Sequence, residues 1–231
     1  MKVLVLVAHG DDELLGPGGT LIRHVRAGDS VHIAVCVGKP NLKMYSAKRY
    51  GHGILAKRKK QAEKVGRLLG FASVRCLNLQ DEMLEQDLNA TVTALEKIVD
   101  QVKPDVVYLH HGGDVNQDHR GVFKAALVAL RRYHETAPRR VLSFETASTT
   151  EQAPALPGWQ FSPNYFVDVS ETLELKLKAL AVYDDELAPF PHPRSAEGLR
   201  ALAQVRGASA GFRAAEAFCL VSEKISRTEE P

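Results

Sequence analysis

The stretch Val3-Leu4-Val5-Leu6-Val7-Ala8-His9-Gly10-Asp11-Asp12-Glu13 decides how the rest of the chain is read. An apolar run with no polar alternation predicts a strand buried on both faces, the habit of a parallel sheet covered by helices. In open sheets of that kind, ligands bind outside the carboxyl ends of the strands. The run empties at once into an imidazole and two carboxylates, so His9, Asp11 and Asp12 fall where the architecture puts chemistry. A pair of helix-capping carboxylates is the bland alternative for Asp11 and Asp12. Capping leaves His9 without a purpose, and it does not ask for a partner elsewhere in the chain.

Such a partner is present. Val106-Val107-Tyr108-Leu109 is a second short apolar run, and it leads into His110-His111-Gly112-Gly113-Asp114-Val115-Asn116-Gln117-Asp118-His119-Arg120. If the two runs are neighbouring parallel strands, His119 can meet His9 and Asp12 around one ion. Two imidazoles and a carboxylate satisfy zinc (Zn2+) while leaving a position for water or substrate, as catalytic rather than structural sites do. Ferrous iron (Fe2+) or another divalent metal suits the same donors. His110 and His111 stand at the strand end, where one reads as an outer group of the site and the other as exposed.

Between and beyond these runs, strands and helices alternate. Strands are expected at Val31–Val37, Val74–Leu79, Val141–Glu145, Tyr165–Val169 and Glu216–Val221. Helices are expected at Leu14–Ala27, Ile54–Leu69, Asn89–Gln101, Arg120–Arg132, Leu173–Val182 and Arg194–Val205. Residues Gly38 to Gly53 carry no periodicity and read as a long loop at a strand end. The pattern predicts an α/β fold, a Rossmann-like three-layer sandwich with a mostly parallel central sheet. No linker-like stretch divides the 231 residues, so one domain spanning 1–231 is expected.

Net charge is +2 at pH 7 with both signs interspersed, which gives no field that would argue for nucleic acid. The one dense basic run, Lys57-Arg58-Lys59-Lys60, lies in a helical pattern and reads first as a solvated face, with Arg58 a substrate contact in the second reading. Cys36, Cys76 and Cys219 sit in strand-like segments with no C-x-x-C spacing, which fits buried, reduced thiols in a cytoplasmic protein. No segment approaches the roughly 20 apolar residues of a membrane span.

The chain resembles the LmbE-like (PIG-L) family of metal-dependent N-deacetylases, whose signatures are A-H-P-D-D-E near the amino terminus and H-x-D-H after a later strand. Ala8-His9-Gly10-Asp11-Asp12-Glu13 and Asn116-Gln117-Asp118-His119 carry the resemblance. Gly16-Pro17-Gly18-Gly19-Thr20, Leu79-Gln80-Asp81 and Pro191-His192-Pro193-Arg194-Ser195 extend it. It implies that His9, Asp12 and His119 are the metal ligands, that Asp11 is the general base and that the protein is a homo-oligomer. It also implies a substrate-hydroxyl acceptor at Asp81, against the equal alternative of a turn residue.

Two departures stand out. Gly10 replaces the family's usual proline, an effect of roughly 1 kcal/mol or less on the loop. Asn116 replaces the first histidine of H-x-D-H, where an imidazole would stabilise the oxyanion or protonate the leaving amine; asparagine can donate a hydrogen bond to substrate but supplies no proton. The segment Phe190-Pro191-His192-Pro193-Arg194-Ser195 is either a rigid surface turn or a loop folded over the metal. In the second reading His192 takes the acid's place, oriented by Asp118, and Arg194 contacts substrate or oxyanion. Phe144-Glu145-Thr146 and Asn164 lie near presumed strand ends and are candidates for lining a sugar pocket.

The expected activity is a zinc-dependent hydrolase that removes the acetyl group of an N-acetylated amino sugar or glycoconjugate by attack of activated water. Two alternatives remain open: an amidase on a larger acyl conjugate, and a metal-containing sugar-binding module without turnover.

Overall fold

The computed structural model describes residues 1–41 and 53–225. Its strands are β1 (Lys2–Val7), β2 (Ser30–Lys39), β3 (Ser73–Gln80), β4 (Val106–His110), β5 (Arg140–Phe144), β6 (Tyr165–Asp168) and β7 (Ala215–Glu223). They join one seven-stranded sheet in the order β3-β2-β1-β4-β5-β7-β6. Every pairing is parallel except those of β7, which runs antiparallel to both neighbours. The helices are α1 (Asp12–Leu15), α2 (Gly18–Arg26), α3 (Ile54–Leu69), α4 (Leu88–Val102), α5 (Gln117–Ala129), α6 (Leu173–Leu180) and α7 (Ala196–Ala210).

Period-two geometry splits the apolar run of β1 between two cores. Leu4 and Leu6 pack on one face with Leu95, Val99, Val122 and Ala126 of α4 and α5. Val3, Val5 and Val7 pack on the other with Leu21 of α2 and Ile33 of β2. Both faces are thus covered, which is why a strand with no polar alternation is stable here. β1 has β2 on one side, in register Val3↔Val31, and β4 on the other, in register Val3↔Val106. Chain order reverses between β1 and β4, so the crevice beyond their carboxyl ends is the topological switch point.

Four expectations need correction. The helix read over Leu14–Ala27 is two helices, because Pro17 offers no N–H and Gly16 turns tightly over a ring: a Cβ there would lie 2.3 Å from Phe144 Cδ2. The last long helix starts at Ala196 rather than Arg194, with the Ser195 side chain accepting from Gly198 N, and this leaves Arg194 on the loop before it. Of the cysteines only Cys36 is buried, while Cys76 and Cys219 are half-buried because their strands lie at or beside the margins of the sheet. The loop expected from Gly38 begins later, since β2 runs to Lys39; residues 42–52 lie outside the described residues. Among the described residues no helix is long and apolar enough to cross a membrane.

A buried ion pair ties the antiparallel strand to the start of the chain. Glu216 of β7 accepts from Gly19 N and Thr20 N, both at 2.7 Å, and so satisfies the open first turn of α2. Lys176 of α6 completes the cluster, donating to Glu216 Oε1 at 2.6 Å and to Gly16 O at 2.8 Å. Lys176 is only 5% exposed. Removing the negative charge leaves a buried ammonium without a counter-ion, so Glu216→Gln should lower unfolding free energy by roughly 3–5 kcal/mol, measured by urea denaturation.

Candidate active site

Beyond the ends of β1 and β4 lies an open cavity of about 500 Å³, lined among others by His9, Asp11, Asp12, Arg58, Asp81 and Arg194. His9 leaves β1 directly, and Asp12 opens α1. His119 sits in the first turn of α5, whose amino terminus follows β4. The adjacency of β1 and β4 therefore brings these three together. Asp12 Oδ2 lies 3.5 Å from His9 Nδ1 and 3.5 Å from His119 Nε2. One donor atom from each of the three falls within 4.8 Å of the others, close enough for a single divalent ion.

The surrounding groups fix which nitrogen each imidazole presents. His9 Nε2 faces Asp81 Oδ1 at 3.3 Å and Asp118 Oδ2 at 3.5 Å, so its proton belongs there and Nδ1 is left for Asp12 and an ion. His9, Asp81 and Asp118 also form a second group of donors within 4.8 Å. His119 turns Nδ1 to Asp114 Oδ2 at 3.2 Å. The same Asp114 oxygen accepts from Thr150 Oγ1 at 2.6 Å and Thr149 Oγ1 at 2.9 Å.

His110 is a different kind of histidine. It is wholly buried, stacks on His119 at 3.8 Å between ring centroids, and lies 3.3 Å from Asp12 Oδ2. Its Nε2 accepts from Ala8 N at 3.0 Å, which puts the ring proton on Nδ1, toward Thr146 Oγ1. Burial pushes its pKa down to about 4, so it is a neutral packing group beside Asp12 rather than an ion-pair partner. His119 goes the opposite way. Burial alone would lower it, but the Asp12 and Asp114 carboxylates raise it to about 9. His9 is likewise held well above its ordinary value against its own burial, by Asp118, Asp12 and Asp81. Buried carboxylates that drive imidazoles to take protons are a cluster short of positive charge, and a divalent cation answers that demand. The donor set thus fits a metal.

Asp11 lies beside this group in an uncommon backbone conformation, φ 154 and ψ −28. Burial and the Asp12 charge raise its pKa, while Arg194 and Arg58 pull it back. Arg194 Nη1 is 3.2 Å and Arg58 Nη1 3.7 Å from Asp11 Oδ2. Glu13 supports the loop from below, accepting from Asp11 N at 3.0 Å and Tyr183 Oη at 2.5 Å.

Not every expected residue joins the cavity. His192 is exposed, its Nδ1 accepts from Arg194 N at 3.1 Å, and it does not line the cavity wall. Asp118 does not meet it either, because both Asp118 oxygens accept backbone N–H groups, from Glu82 at 2.7 Å and Leu84 at 3.0 Å. Phe144 is buried under Gly16, Glu145 pairs with Arg206, Thr146 holds His110, and Asn164 Oδ1 accepts from Leu220 N, so none of these lines the cavity. Asp81 and Arg58 do line it. The basic run of α3 divides: Lys57, Lys59 and Lys60 are exposed, as a solvated face would be, with Lys57 paired to Asp184 and Asp185, while Arg58 turns inward to Glu186. Complementary runs, Lys57-Arg58 and Asp184-Asp185-Glu186, were the signal available for this contact. Asp114, Thr149 and Thr150 had no comparable signal, since they reach the site through His119.

Fold and site together define a three-layer α/β protein with a candidate metal centre at the switch point of its sheet. The chain belongs to the PIG-L family (GlcNAc-PI de-N-acetylase), whose model matches residues 4–130. It is 33% identical over 185 residues to the uncharacterized deacetylase YaiS of Escherichia coli, covering 77% of this chain and 88% of that protein. It is 23% identical over 228 residues to the diacetylchitobiose deacetylase of Thermococcus kodakarensis, covering 95% of this chain and 83% of that one. Among solved structures, the N,N'-diacetylchitobiose deacetylase of Pyrococcus horikoshii superposes with a TM-score of 0.73 at 25% identity, covering 95% of this chain and 83% of that chain.

Asn116, at the position where the family's motif begins, is the N-cap of α5. Its Oδ1 accepts from Asp118 N at 2.8 Å and His119 N at 3.4 Å, so it orders the turn that presents His119. Asn116→Ala should lower stability by about 0.5–2 kcal/mol and Asn116→Asp by far less, read from chemical denaturation midpoints.

Proposed function

We propose that the protein is a divalent-metal-dependent N-deacetylase acting on an N-acetylated amino sugar or a small glycoconjugate. The observation that carries the reading is the convergence of His9, Asp12 and buried His119 on one point, with His9, Asp12 and the neighbouring Asp11 lining the cavity. Membership of the PIG-L family and likeness to deacetylases of chitobiose-type substrates support it. Zinc is the metal we favour, and ferrous iron suits the same ligands.

When bound, the ion would supply Lewis acidity toward the acyl oxygen and acidify a water beside it. The protein residues do the remaining work. Asp11 accepts the proton of the attacking water as general base. Arg194 and Arg58, whose guanidiniums lie beside Asp11 Oδ2, offset its charge in the buried site and hold it in place as that base. The C–N bond then breaks, giving acetate and a free amine. The amine needs a proton that Asn116 cannot give and that His192, outside the cavity wall, is poorly placed to give. We assign it to Asp11, which returns the proton it took. Asp81 and Arg58 face the space a sugar ring would occupy and are read as substrate contacts. Asp118 orients His9, and Asp114 orients His119.

The test separates metal holding from chemistry. His119→Ala should lose the ion, read by elemental analysis of the purified protein, and Asp114→Asn should weaken metal affinity about 10–100-fold. Full metal occupancy in His119→Ala would remove the ligand assignment. Asp11→Asn should keep its metal and lose on the order of 100 to 10,000-fold in acetate release from N-acetylated sugars. Near-normal release in that variant would take Asp11 out of the mechanism.

A further inference from the structure

Arg58 of α3 and Arg194 of the loop before α7 reach the same wall of the cavity, and one carboxylate lies between them. Glu186 gives an oxygen to each: Oε1 to Arg58 Nη2, and Oε2 to Arg194 Nη1 at 2.5 Å. Both guanidiniums also point toward Asp11 Oδ2, so this fork borders the proposed reacting centre.

The fork is held from outside. Ser148 adopts a left-handed φ of 82, uncommon for a non-glycine residue, and in that conformation its Oγ accepts from Arg194 Nε at 2.7 Å. The loop that carries Glu186 is pinned by other residues: Gln61 Nε2 donates to Val182 O at 3.0 Å and to Asp185 Oδ1 at 3.0 Å, and Lys57 donates to Asp184 at 2.9 Å. The Glu186 side chain can therefore leave the fork while its loop stays in place. Two guanidiniums set side by side repel unless an anion bridges them, and their planar donors match the two oxygens of a carboxylate. Glu186 fills that position as a tethered ligand.

We infer that Arg58 and Arg194 form a subsite for a carboxylate of the substrate, which Glu186 occupies in the free protein and the substrate displaces. The inference rests on the deacetylase reading above and narrows it: the substrate carries a carboxylate close to the acetamido group being cleaved. Exchanging one carboxylate for another conserves the charge-assisted bonds, so the free protein discriminates modestly. Neutralising the tether leaves the outer side of the fork without its bridging carboxylate, with Asp11 alone on the inner side, and should sharpen the discrimination.

N-acetylmuramic acid, its methyl ester and N-acetylglucosamine 6-phosphate are suitable probes, offered to the metal-loaded full chain in equilibrium dialysis, with acetate assayed in the same samples. The acid should bind about threefold or more tightly than the ester in the wild type and about tenfold or more tightly in Glu186→Gln. Arg194→Gln should abolish the difference, and Glu186→Asp, with its shorter arm, should fall between wild type and Glu186→Gln. If Glu186→Gln does not fold by circular dichroism, the wild type and Glu186→Asp decide. Equal binding of acid and ester in both overturns the subsite, and so does tighter binding of the phosphate than of the acid. Acetate release from the ester without any preference for the acid rejects the subsite and leaves the deacetylase. Acid-selective binding without acetate release supports the subsite and rejects the deacetylase.

Discussion

One buried oxygen, Oδ2 of Asp12, stands at the meeting point of three imidazoles: 3.5 Å from His9 Nδ1, 3.3 Å from His110 Nε2 and 3.5 Å from His119 Nε2. It also accepts from His9 N at 2.8 Å, which bends the chain as it leaves β1. A carboxylate so deeply placed survives only with partners that offset its desolvation. The three rings are not interchangeable in that role. His110, neutral, seals the sheet side, while His9 and His119 leave the cavity side to a cation. The architecture of β1, β4 and α5 can be understood as what is needed to deliver these rings to one oxygen.

The site's core is legible in the sequence because its signals are local and its geometry follows from the fold. Val3 to Val7 can be a doubly buried strand or nothing, and a parallel neighbour at Val106 to Leu109 then puts His9 and His119 at adjacent ends. The helix boundaries are less legible, since Asn116 and Ser195 act through single side-chain caps whose direction no periodicity reveals. The break at Gly16-Pro17 depends on a ring, Phe144, that lies far along the chain. Role assignments that need a loop's path fail for the same reason. Pro191-His192-Pro193-Arg194 does bring a residue to the cavity, but it is Arg194, because the His192 side chain turns outward to the Arg194 backbone.

The charged wall of the cavity shows why composition alone misleads. Four basic residues in a row on α3 look alike in the sequence, yet the three lysines stay at the surface while Arg58 reaches the cavity opposite Glu186. Charge here joins two loops and one helix around Asp11, and the interspersed signs that keep the net charge near zero are partly this pairing. A low net charge is compatible with a strong local field.

The Glu216 clamp on Gly19 and Thr20 spans 197 residues of chain. Synthesis delivers the amino-terminal segment first, so the first turn of α2 must wait with open N–H groups until β7 has left the ribosome and inserted between β5 and β6. Closing so long a loop is slow, and parallel pairings already make this a chain of non-local contacts. The loop that bears His9, Asp11 and Asp12 therefore sits next to a joint that is among the last to close. An incompletely made chain could present the motif without the shape that gives it purpose.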